Sequence, residues 1–366
     1  MSRFTLLAIV AILLAGCGTT GASAGETPAS QAPVSAQPTT EPATAAASAS
    51  PEPSAAPSVP EGHPAEGLAF VQTMSSDDPT TQVWVIEADG SPRQITGVSG
   101  QLGASHPVWS RDGSQLAFSG QKVGETGIAG QVGIVNADGT GEREVAAGQL
   151  PQWSPDGTRI AFTEVDDVTG EELSMSVVDV ATGDISDLGI GYGPRWIDGV
   201  TLVFNANTVQ DDGSARLDAF LLDLESGERQ PLAEGTIAYP SPDGTMLLLE
   251  RAGLTLNEAA LALASADGSD AEEIVTGFSP VWSPNGTHFA FAYETDSNAN
   301  LVYAIVDLEG ETVISDIHGS SLTWSPDGAR VAVEVYLTPT PVVQVIDVAT
   351  GDLLWDEAGA QPAWRP

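Results

Sequence analysis

The sequence has few of the residues that build disulfides, thiolate sites or nucleic-acid surfaces. Cys17 is the one cysteine among 366 residues, so no disulfide and no thiolate metal site can form within the chain. Lysine and arginine together number 12, against 50 aspartates and glutamates, and Lys122 is the one lysine. A chain with a formal charge of −38 repels nucleic acid and anionic lipid, so we expect neither as a partner.

The common catalytic and metal-binding motifs are missing as well. The sequence has no Gly-x-Ser-x-Gly nucleophile elbow and no segment with EF-hand spacing. Its many glycines occupy turn positions and form no phosphate-binding loop. Four histidines without further cysteines offer little for a histidine-based catalytic metal. We therefore predict no metal site and no cofactor, with Ca²⁺ as the one ion that the abundant carboxylates could hold.

The main long apolar run is at the N-terminus. Arg3 precedes an 11-residue apolar segment, Phe4 to Leu14, which is shorter than the ~20 residues of a membrane-spanning helix. The tetrad that ends at Cys17 resembles the lipobox of bacterial lipoproteins. That resemblance implies removal of a signal peptide over 1–16 and acylation of Cys17, with chains such as palmitate, as the membrane anchor. An ordinary secretory signal with an incidental cysteine is the alternative.

A linker of biased composition follows the anchor. Residues 17–66 consist mainly of Ala, Ser, Thr, Pro and Glu and contain almost no large apolar side chain. Such a segment cannot bury enough surface to offset its chain entropy, so we predict a disordered linker. Its extended form would hold the rest of the chain away from the membrane.

A repeat fills the chain from residue 67 to its end. One copy reads Trp153-Ser154-Pro155-Asp156-Gly157, followed by the strand-like Ile160-Ala161-Phe162. The tryptophan position recurs at 109, 153, 196, 240 (where it is proline), 282, 324 and 364. The steps of 40 to 44 residues match the ~40–45 of a β-propeller blade with four strands. A second series consists of turn-forming glycines after the third strand of each repeat. It has about the same period as the tryptophan series and keeps a similar position relative to it.

The two ends of this region complement each other. It begins with Leu68-Ala69-Phe70, which reads as a second strand without a first, and it ends with Ala363-Trp364, which reads as a first strand without a second. We therefore predict an all-β fold, a seven-bladed β-propeller over 67–366, closed by pairing of its N-terminal and C-terminal strands. Closure leaves no open sheet edge that could aggregate.

The repeat resembles the TolB-type, WD-like propeller repeat, which also occurs in propellers attached to prolyl oligopeptidase-like hydrolases. The resemblance covers about 300 of the 366 residues, and it implies the fold but not a function. TolB itself has an α/β domain ahead of its propeller, and here only the linker precedes it, so TolB's role does not transfer. The hydrolases need a catalytic α/β domain, for which this chain has neither the motif nor the residues, so we expect no peptidase activity.

Two groups of residues are candidates for binding a partner. The loops between second and third strands are expected on the same face as the connections between blades, and they are acidic. Their candidate residues are Asp77, Asp78, Asp166, Asp167, Asp211 and Asp212. The blade connections should ring the mouth of the central channel with polar and aromatic side chains. These candidates are His106, Tyr192, Arg195 and Tyr239, together with Gln149, Phe278, His318 and Gln361.

These features favour a binding protein over an enzyme. We expect a monomeric, extracytoplasmic lipoprotein, attached to the membrane only through its lipid, whose propeller is a non-catalytic platform for an envelope protein or a glycan. One alternative is an extracellular carbohydrate-active enzyme that uses carboxylates such as Glu164 and Asp166. A raised carboxylate pKa at the channel mouth would favour that enzyme. Another alternative is a structural propeller stabilised by Ca²⁺.

Overall fold

The computed structural model describes residues 62–74, 80–97, 102–122, 130–165, 173–251, 258–295, 300–336 and 340–366. Residues 60–366 form one compact unit. In the described ranges the regular structure consists of 28 strands in seven four-stranded sheets, which confirms the seven-bladed propeller. Across these ranges no helix is long and apolar enough to cross a bilayer. The predicted signal peptide, Cys17 and the linker up to residue 61 lie outside the described residues.

Each blade runs from an inner strand at the channel to an outer strand at the rim. Blade 1 contains β28 (Ala360–Trp364), β1 (Leu68–Thr73), β2 (Thr81–Ile86) and β3 (Pro92–Gln94). Blade 2 contains β4 (Leu102–Trp109), β5 (Gln115–Lys122), β6 (Gln131–Asn136) and β7 (Arg143–Ala147). Blade 3 contains β8 (Gln149–Trp153), β9 (Arg159–Val165), β10 (Leu173–Asp179) and β11 (Ile185–Ile190). Blade 4 contains β12 (Tyr192–Trp196), β13 (Thr201–Val209), β14 (Ala215–Asp223) and β15 (Arg229–Ala233).

The remaining three blades follow the same order. Blade 5 contains β16 (Thr236–Pro240), β17 (Met246–Arg251), β18 (Ala260–Ser265) and β19 (Glu272–Thr276). Blade 6 contains β20 (Phe278–Trp282), β21 (His288–Thr295), β22 (Leu301–Asp307) and β23 (Thr312–Gly319). Blade 7 contains β24 (Leu322–Trp324), β25 (Arg330–Tyr336), β26 (Pro341–Asp347) and β27 (Leu353–Ala358). All neighbouring strands are antiparallel, so the loops after second strands share a face with the connections between blades, as predicted.

The ring closes by pairing its two ends. The last strand, β28, forms the inner strand of blade 1 and pairs antiparallel with β1, with Leu68 opposite Trp364 and Ala69 opposite Ala363. Leu68 and Phe70 are fully buried beside Trp364, in a cluster that also contains residues of blade 7. The predicted closure is confirmed, and it removes the open edge that β1 would otherwise present.

In most blades an aspartate builds the turn after the inner strand, and in blade 6 Asn285 takes its place. In blade 3, Asp156 Oδ1 accepts hydrogen bonds from Ser154 Oγ at 2.6 Å and from the Thr158 backbone N–H at 3.0 Å. The Ser154 hydroxyl, followed by the Thr158 amide, lowers the pKa of Asp156. The same contacts recur at Asp112, whose pKa is lowered to about 2, and at Asp243. These acids therefore form turns, as their position directly before a glycine predicts.

The repeated tryptophans connect neighbouring blades. The Trp153 indole N–H donates to the backbone carbonyl of Val108, one residue before the tryptophan of the preceding blade, at 3.1 Å. The same bond is made by Trp109, Trp196, Trp282 and Trp324. Blade 5 has Pro240 at this position and no indole to offer. In blade 1 the Trp364 indole N–H is buried without a partner among the described residues.

The core lies between blades and depends on a second series of small residues. Five residues before each tryptophan position, the chain has Gly148, Gly191, Gly235, Gly277, Gly319 and Gly359, with Ala104 in blade 2. A Cβ atom at Gly277 would lie 2.3 Å from Cδ2 of Phe291 and 2.8 Å from the carbonyl oxygen of Ala292. Gly359 is equally close to Phe70. In blades 1, 3, 4, 6 and 7 the glycine lets the inner strand pass directly over a buried side chain of the strand beside it. Gly235 in blade 5 has no such close neighbour, and only Arg216 Cδ lies near it, at 3.8 Å.

Candidate functional site at the central channel

Five inner strands carry a β-bulge that turns one backbone amide out of its own sheet. The bulges interrupt the pairing of β28, β4, β8, β12 and β20 with their neighbours. The bulged residue has a φ of 50° to 60° and always stands three residues before the tryptophan. These residues are His106, Leu150, Gly193, Ser279 and Gln361. Four of the five are not glycine, so a strained conformation is repeated around the channel.

Each bulged amide donates to a side chain of the preceding blade. The Leu150 N–H bonds Ser119 Oγ at 2.9 Å, and the Gly193 N–H bonds Thr163 Oγ1 at 3.2 Å. In the other three bulges the acceptor is Glu250 for Ser279, Glu334 for Gln361, and Gln361 Oε1 for His106. The bulges therefore join blades around the channel by hydrogen bonds, and they use polar side chains of the inner two strands to do so.

Glu250 is the best connected of these acceptors. Its Oε2 accepts the Ser279 N–H at 2.9 Å and the Tyr239 hydroxyl at 2.9 Å, and the Arg195 guanidinium lies 4.4 Å over the Tyr239 ring. Burial raises the pKa of Glu250, while the two hydrogen bonds and Arg195 act in the opposite direction. Burial and the nearby Glu250 charge raise the pKa of Tyr239, which keeps its hydroxyl protonated as a donor.

A second buried carboxylate lies in blade 7. Glu334 is 5% exposed, and its Oε2 accepts the Gln361 N–H at 3.0 Å. Gln361 in turn accepts the His106 N–H at 2.7 Å, so these three residues link blades 7, 1 and 2. Burial lowers the pKa of His106 and the Glu334 charge opposes that effect, which favours a neutral imidazole at pH 7. Burial raises the pKa of Tyr192 to about 12.

The raised pKa of Glu250 gives a testable dependence of stability on pH. The folded protein holds a proton on Glu250 above the ordinary glutamate pKa of 4.5, where the unfolded chain has released it. Folded Glu250 therefore costs stability as the pH rises from 4.5 through its raised pKa. A Glu250→Gln variant keeps an acceptor oxygen for Tyr239 and Ser279 without the charge. We expect its free energy of unfolding, relative to wild type, to increase as the pH rises through that window.

Chemical denaturation at a series of pH values measures this difference. Glu309→Gln changes an exposed glutamate in the β22–β23 turn and controls for the loss of one negative charge. Glu250→Ala should be destabilised by about 1–3 kcal/mol, because it leaves a buried amide and a hydroxyl without their acceptor. A Glu250→Gln profile parallel to that of wild type would contradict the raised pKa.

A cavity opens at the end of the channel where the inner strands finish. Its volume is about 390 Å³, and it lies among blades 2 to 6 on the face of the aspartate turns. We call it the tryptophan cavity and define it by Trp109, Trp153, Trp196, Trp282, Arg111 and Arg195. Of the described residues that line it, two are basic and none is acidic. This is an unusual lining in a chain with 50 acidic residues.

The structure brings four of the predicted binding residues to the channel. His106, Tyr192, Arg195 and Tyr239 all belong to inner strands, and all are partly buried. Tyr239 and Arg195 contact each other directly, whereas His106 belongs to the contacts around Glu334. Two further residues expected at the mouth lie elsewhere. Phe278 is buried in the core of blades 6 and 7, and His318 is exposed on the outer strand β23.

The predicted acidic loops are described only in part. Asp77, Asp78, Asp166 and Asp167 lie outside the described residues. Asp211 and Asp212 are exposed at the tip of the β13–β14 hairpin, and Asp212 Oδ1 accepts the Ser214 N–H at 2.9 Å. The side-chain and backbone hydrogen bonds of Ser214 lower the pKa of Asp212. Within the described ranges, no three His, Asp or Glu side chains converge as a metal ion would require.

Sequence reasoning did not identify Glu250 and Glu334 as channel residues. Both stand ten residues after a tryptophan position, and Ser119 and Thr163 occupy the same place in other blades. A polar residue that recurs at the end of an otherwise apolar strand is the signal that could have located them. Glu334 is buried in β25 although it stands near the end of its strand.

Comparison with known proteins supports the fold and little more. No protein-family model matches the chain, and no curated protein matches its sequence. Among solved structures, TolB from Acinetobacter baumannii superposes with a TM-score of 0.51 at 16% identity, over 82% of this chain and 67% of TolB. A prolyl endopeptidase, one of two described in a structural and mechanistic study, superposes with a TM-score of 0.59 at 13% identity, over 81% of this chain and 49% of the endopeptidase.

A third similar structure is an oligogalacturonate lyase in complex with manganese. Its TM-score is 0.54 at 15% identity, over 81% of this chain and 86% of the lyase. This chain thus spans about half the length of the endopeptidase that it matches. The similar structures include TolB as well as enzymes, so a likeness at 13–16% identity establishes a shared propeller fold without an activity.

Proposed function

We propose that this protein is an extracytoplasmic lipoprotein, anchored through Cys17, whose propeller binds a protein or glycan partner of the cell envelope without catalysing a reaction. The ring of bulge contacts supports this proposal most directly. It engages Glu250, Glu334, Gln361 and the neighbouring hydroxyls in holding blades together. A channel whose polar groups fix the blades is suited to a rigid platform.

The raised pKa of Glu250 is also a property of general acids, and it therefore bears on the alternative enzyme. A general acid must reach the substrate with an oxygen that is free to give its proton. In Glu250, Oε2 accepts bonds from Tyr239 and Ser279 that fix the carboxyl group in the contact between blades 5 and 6, and burial alone raises its pKa. Glu164 was expected to act with Asp166, which lies outside the described residues. We therefore favour binding.

The experiment that tests the proposal is capture from cross-linked envelopes of the source cells. The bait is soluble 60–366, which forms one compact unit with its closing strand pair intact. A loop variant changes six aspartates to asparagine at the second-to-third-strand loops: Asp77, Asp78, Asp166, Asp167, Asp211 and Asp212. A control variant neutralises six exposed acids at third-to-fourth-strand turns on the opposite face: Asp184, Glu225, Glu228, Asp270, Glu309 and Glu311.

We expect one dominant partner with the wild-type and control baits, and at least a tenfold loss with the loop variant. Equal losses in both variants would show a response to net charge and would reject the loop face as the binding surface. No partner above bare resin with any bait would overturn the proposed binding role.

A further inference from the structure

The tryptophan cavity contains two arginines that are poorly satisfied. Arg195 donates to the Gly193 carbonyl at 3.2 Å through one nitrogen, and its other guanidinium nitrogens have no partner among the described residues. Arg111 is exposed and, within the described part of the chain, has neither a hydrogen bond nor an ion pair. By contrast, Arg216, Arg251 and Arg330 all pair with carboxylates. Other arginines, such as Arg143 and Arg365, donate only to backbone carbonyls, and the Arg195 charge acts on the nearby Glu250. Among the arginines in the described ranges, Arg111 alone has neither kind of hydrogen-bond partner.

The Arg195 guanidinium is held in place. It is partly buried, its Cζ lies 4.4 Å from the centroid of the Tyr239 ring, and its one hydrogen bond anchors it to the β12 bulge. The Tyr239 ring is itself fixed by the bond from its hydroxyl to Glu250. A positioned guanidinium loses little side-chain entropy when it binds a planar anion, and it can offer two parallel N–H donors.

Apart from Gln152, Tyr239 and two serines, the side chains in the rest of the cavity are apolar. Prolines at 155, 240, 242 and 280 and the edges of four tryptophans form most of its wall. The two serines in the lining are already engaged: Ser154 Oγ bonds Asp156 and the Arg159 N–H, and Ser241 Oγ bonds Asp243 and the Met246 N–H. The indole N–H groups bond neighbouring backbone carbonyls. The lining therefore offers cationic donors beside a wall with few free polar groups.

We propose that the tryptophan cavity binds the C-terminal end of a partner polypeptide. The terminal carboxylate pairs with Arg195 and is reached by Arg111, and apolar terminal side chains lie against the prolines and tryptophans. The volume of about 390 Å³ falls within the ~300–1,000 Å³ usual for ligand sites. This inference rests on the proposed binding function, but the cavity lies on the face of the aspartate turns, opposite the acidic loops that the capture experiment changes. It therefore names the chemistry of a second contact, which the peptide experiment tests independently of those loops.

The wall chemistry favours a peptide over an acidic sugar. A sugar acid also carries a carboxylate, but its ring hydroxyls would enter a cavity whose hydroxyls and indole N–H groups are already bonded. Unpaired hydroxyls lose affinity on burial. Trp109, Trp153 and Trp196 are only 6–9% exposed, so they offer edges and little ring face for a sugar to stack on. The terminal residue of a peptide brings one carboxylate for the arginines and one backbone N–H, which is fewer hydrogen-bonding groups than the ring of a sugar acid carries.

The test is binding of acetylated tetrapeptides that end in Ala-Pro-Leu, Ala-Pro-Phe or Ala-Pro-Val to soluble 60–366. Each peptide is compared as the free acid and as the C-terminal amide, by calorimetry and by fluorescence of the cavity tryptophans. We expect the free acids to bind at least tenfold more tightly than the amides. Arg195→Gln and Arg111→Gln should each weaken the free acids by about 10- to 100-fold, the usual effect of losing a charged hydrogen bond.

Arg143→Gln is the matched control, because Arg143 lies on the outer strand β7 and donates only to the Val180 carbonyl. Arg111 is exposed and has no hydrogen bond or ion pair within the described residues, so its variant stays informative even if Arg195→Gln shifts the melting temperature. Equal binding of acids and amides would overturn the inference. Unchanged affinity in the Arg111 and Arg195 variants would overturn it, and so would binding of glucuronate, galacturonate or inorganic phosphate in place of the peptides.

Envelope capture with the same preparation separates the two proposals. If wild type captures a partner but binds no free-acid peptide, the cavity inference is wrong and the binding function stands. If it neither captures a partner nor binds a peptide, both proposals fail.

Discussion

Ending the chain at Gly359 is expected to abolish the cooperative unfolding of the propeller. This truncation removes β28, the inner strand of blade 1, and leaves β1 as an open edge. It exposes Leu68 and Phe70, which are fully buried, and removes Trp364. Loss of burial for three large apolar side chains amounts to about 5–9 kcal/mol, and the net stability of a domain is only about 5–15 kcal/mol. Circular dichroism melting and size-exclusion chromatography measure the outcome.

The control for this truncation is a chain that ends at Trp364. It retains every β28 pair and loses only Arg365 and Pro366, both exposed. Because Arg365 Nε bonds the Gly113 carbonyl, we expect a loss of about 1–2 kcal/mol. A cooperative melt in the Gly359 truncation, within a few degrees of this control, would show that six complete blades hold the ring without closure.

Gly277→Ala is expected to destabilise the propeller by about 2–3 kcal/mol, the upper range for overpacking a core. The added methyl would lie 2.3 Å from the Phe291 ring and 2.8 Å from the Ala292 carbonyl oxygen. Phe291 is 6% exposed in the core between blades 5 and 6, and a backbone oxygen cannot rotate away, so inner strand β20 must shift. Urea denaturation monitored by tryptophan fluorescence measures the loss.

Gly199→Ala provides the comparison for that variant. Gly199 has nothing within 4 Å of its Cβ position and no positive φ, so the same substitution should change stability by less than about 0.5 kcal/mol. Equal effects at Gly277 and Gly199 would mean that the loss arises in the unfolded chain, through reduced backbone entropy, and not from the contact with Phe291.

Periodicity made the fold readable from the sequence. The tryptophan spacing and the unmatched strands at the two ends depend on repetition along the chain, and the structure confirms both seven blades and their closure. The glycine series five residues before each tryptophan was equally periodic. The packing role of these glycines could not be predicted from the sequence, because glycine is common in turns and needs no other reason there. Their contact with Phe291 or Phe70 becomes visible only once strands are packed side by side.

The channel was harder to predict because its contacts join different blades. His106, Tyr192, Arg195 and Tyr239 were expected there because they precede or lie on first strands, and the structure places all four on inner strands. Glu250 lies near the end of β17, a second strand whose mainly apolar sequence indicates a role in the core and gives no sign of a channel residue. Its role depends on the Ser279 amide, 29 residues later, which turns toward it only because β20 bulges. No local pattern encodes such a pairing.

The entry of the chain into blade 1 determines how the propeller would respond to a pulling force. If Cys17 is the anchor, tension reaches the fold through residues 62–67, where Arg330 donates to the Pro64 carbonyl at 2.7 Å and Gly67 donates to the Ile86 carbonyl at 2.8 Å. The load then passes to β1, which is bonded on one side to β28 and on the other to β2. Extracting a strand from between two neighbours requires both rows of hydrogen bonds to yield together. The closure that completes the ring thus also places its tether at a point of mechanical resistance.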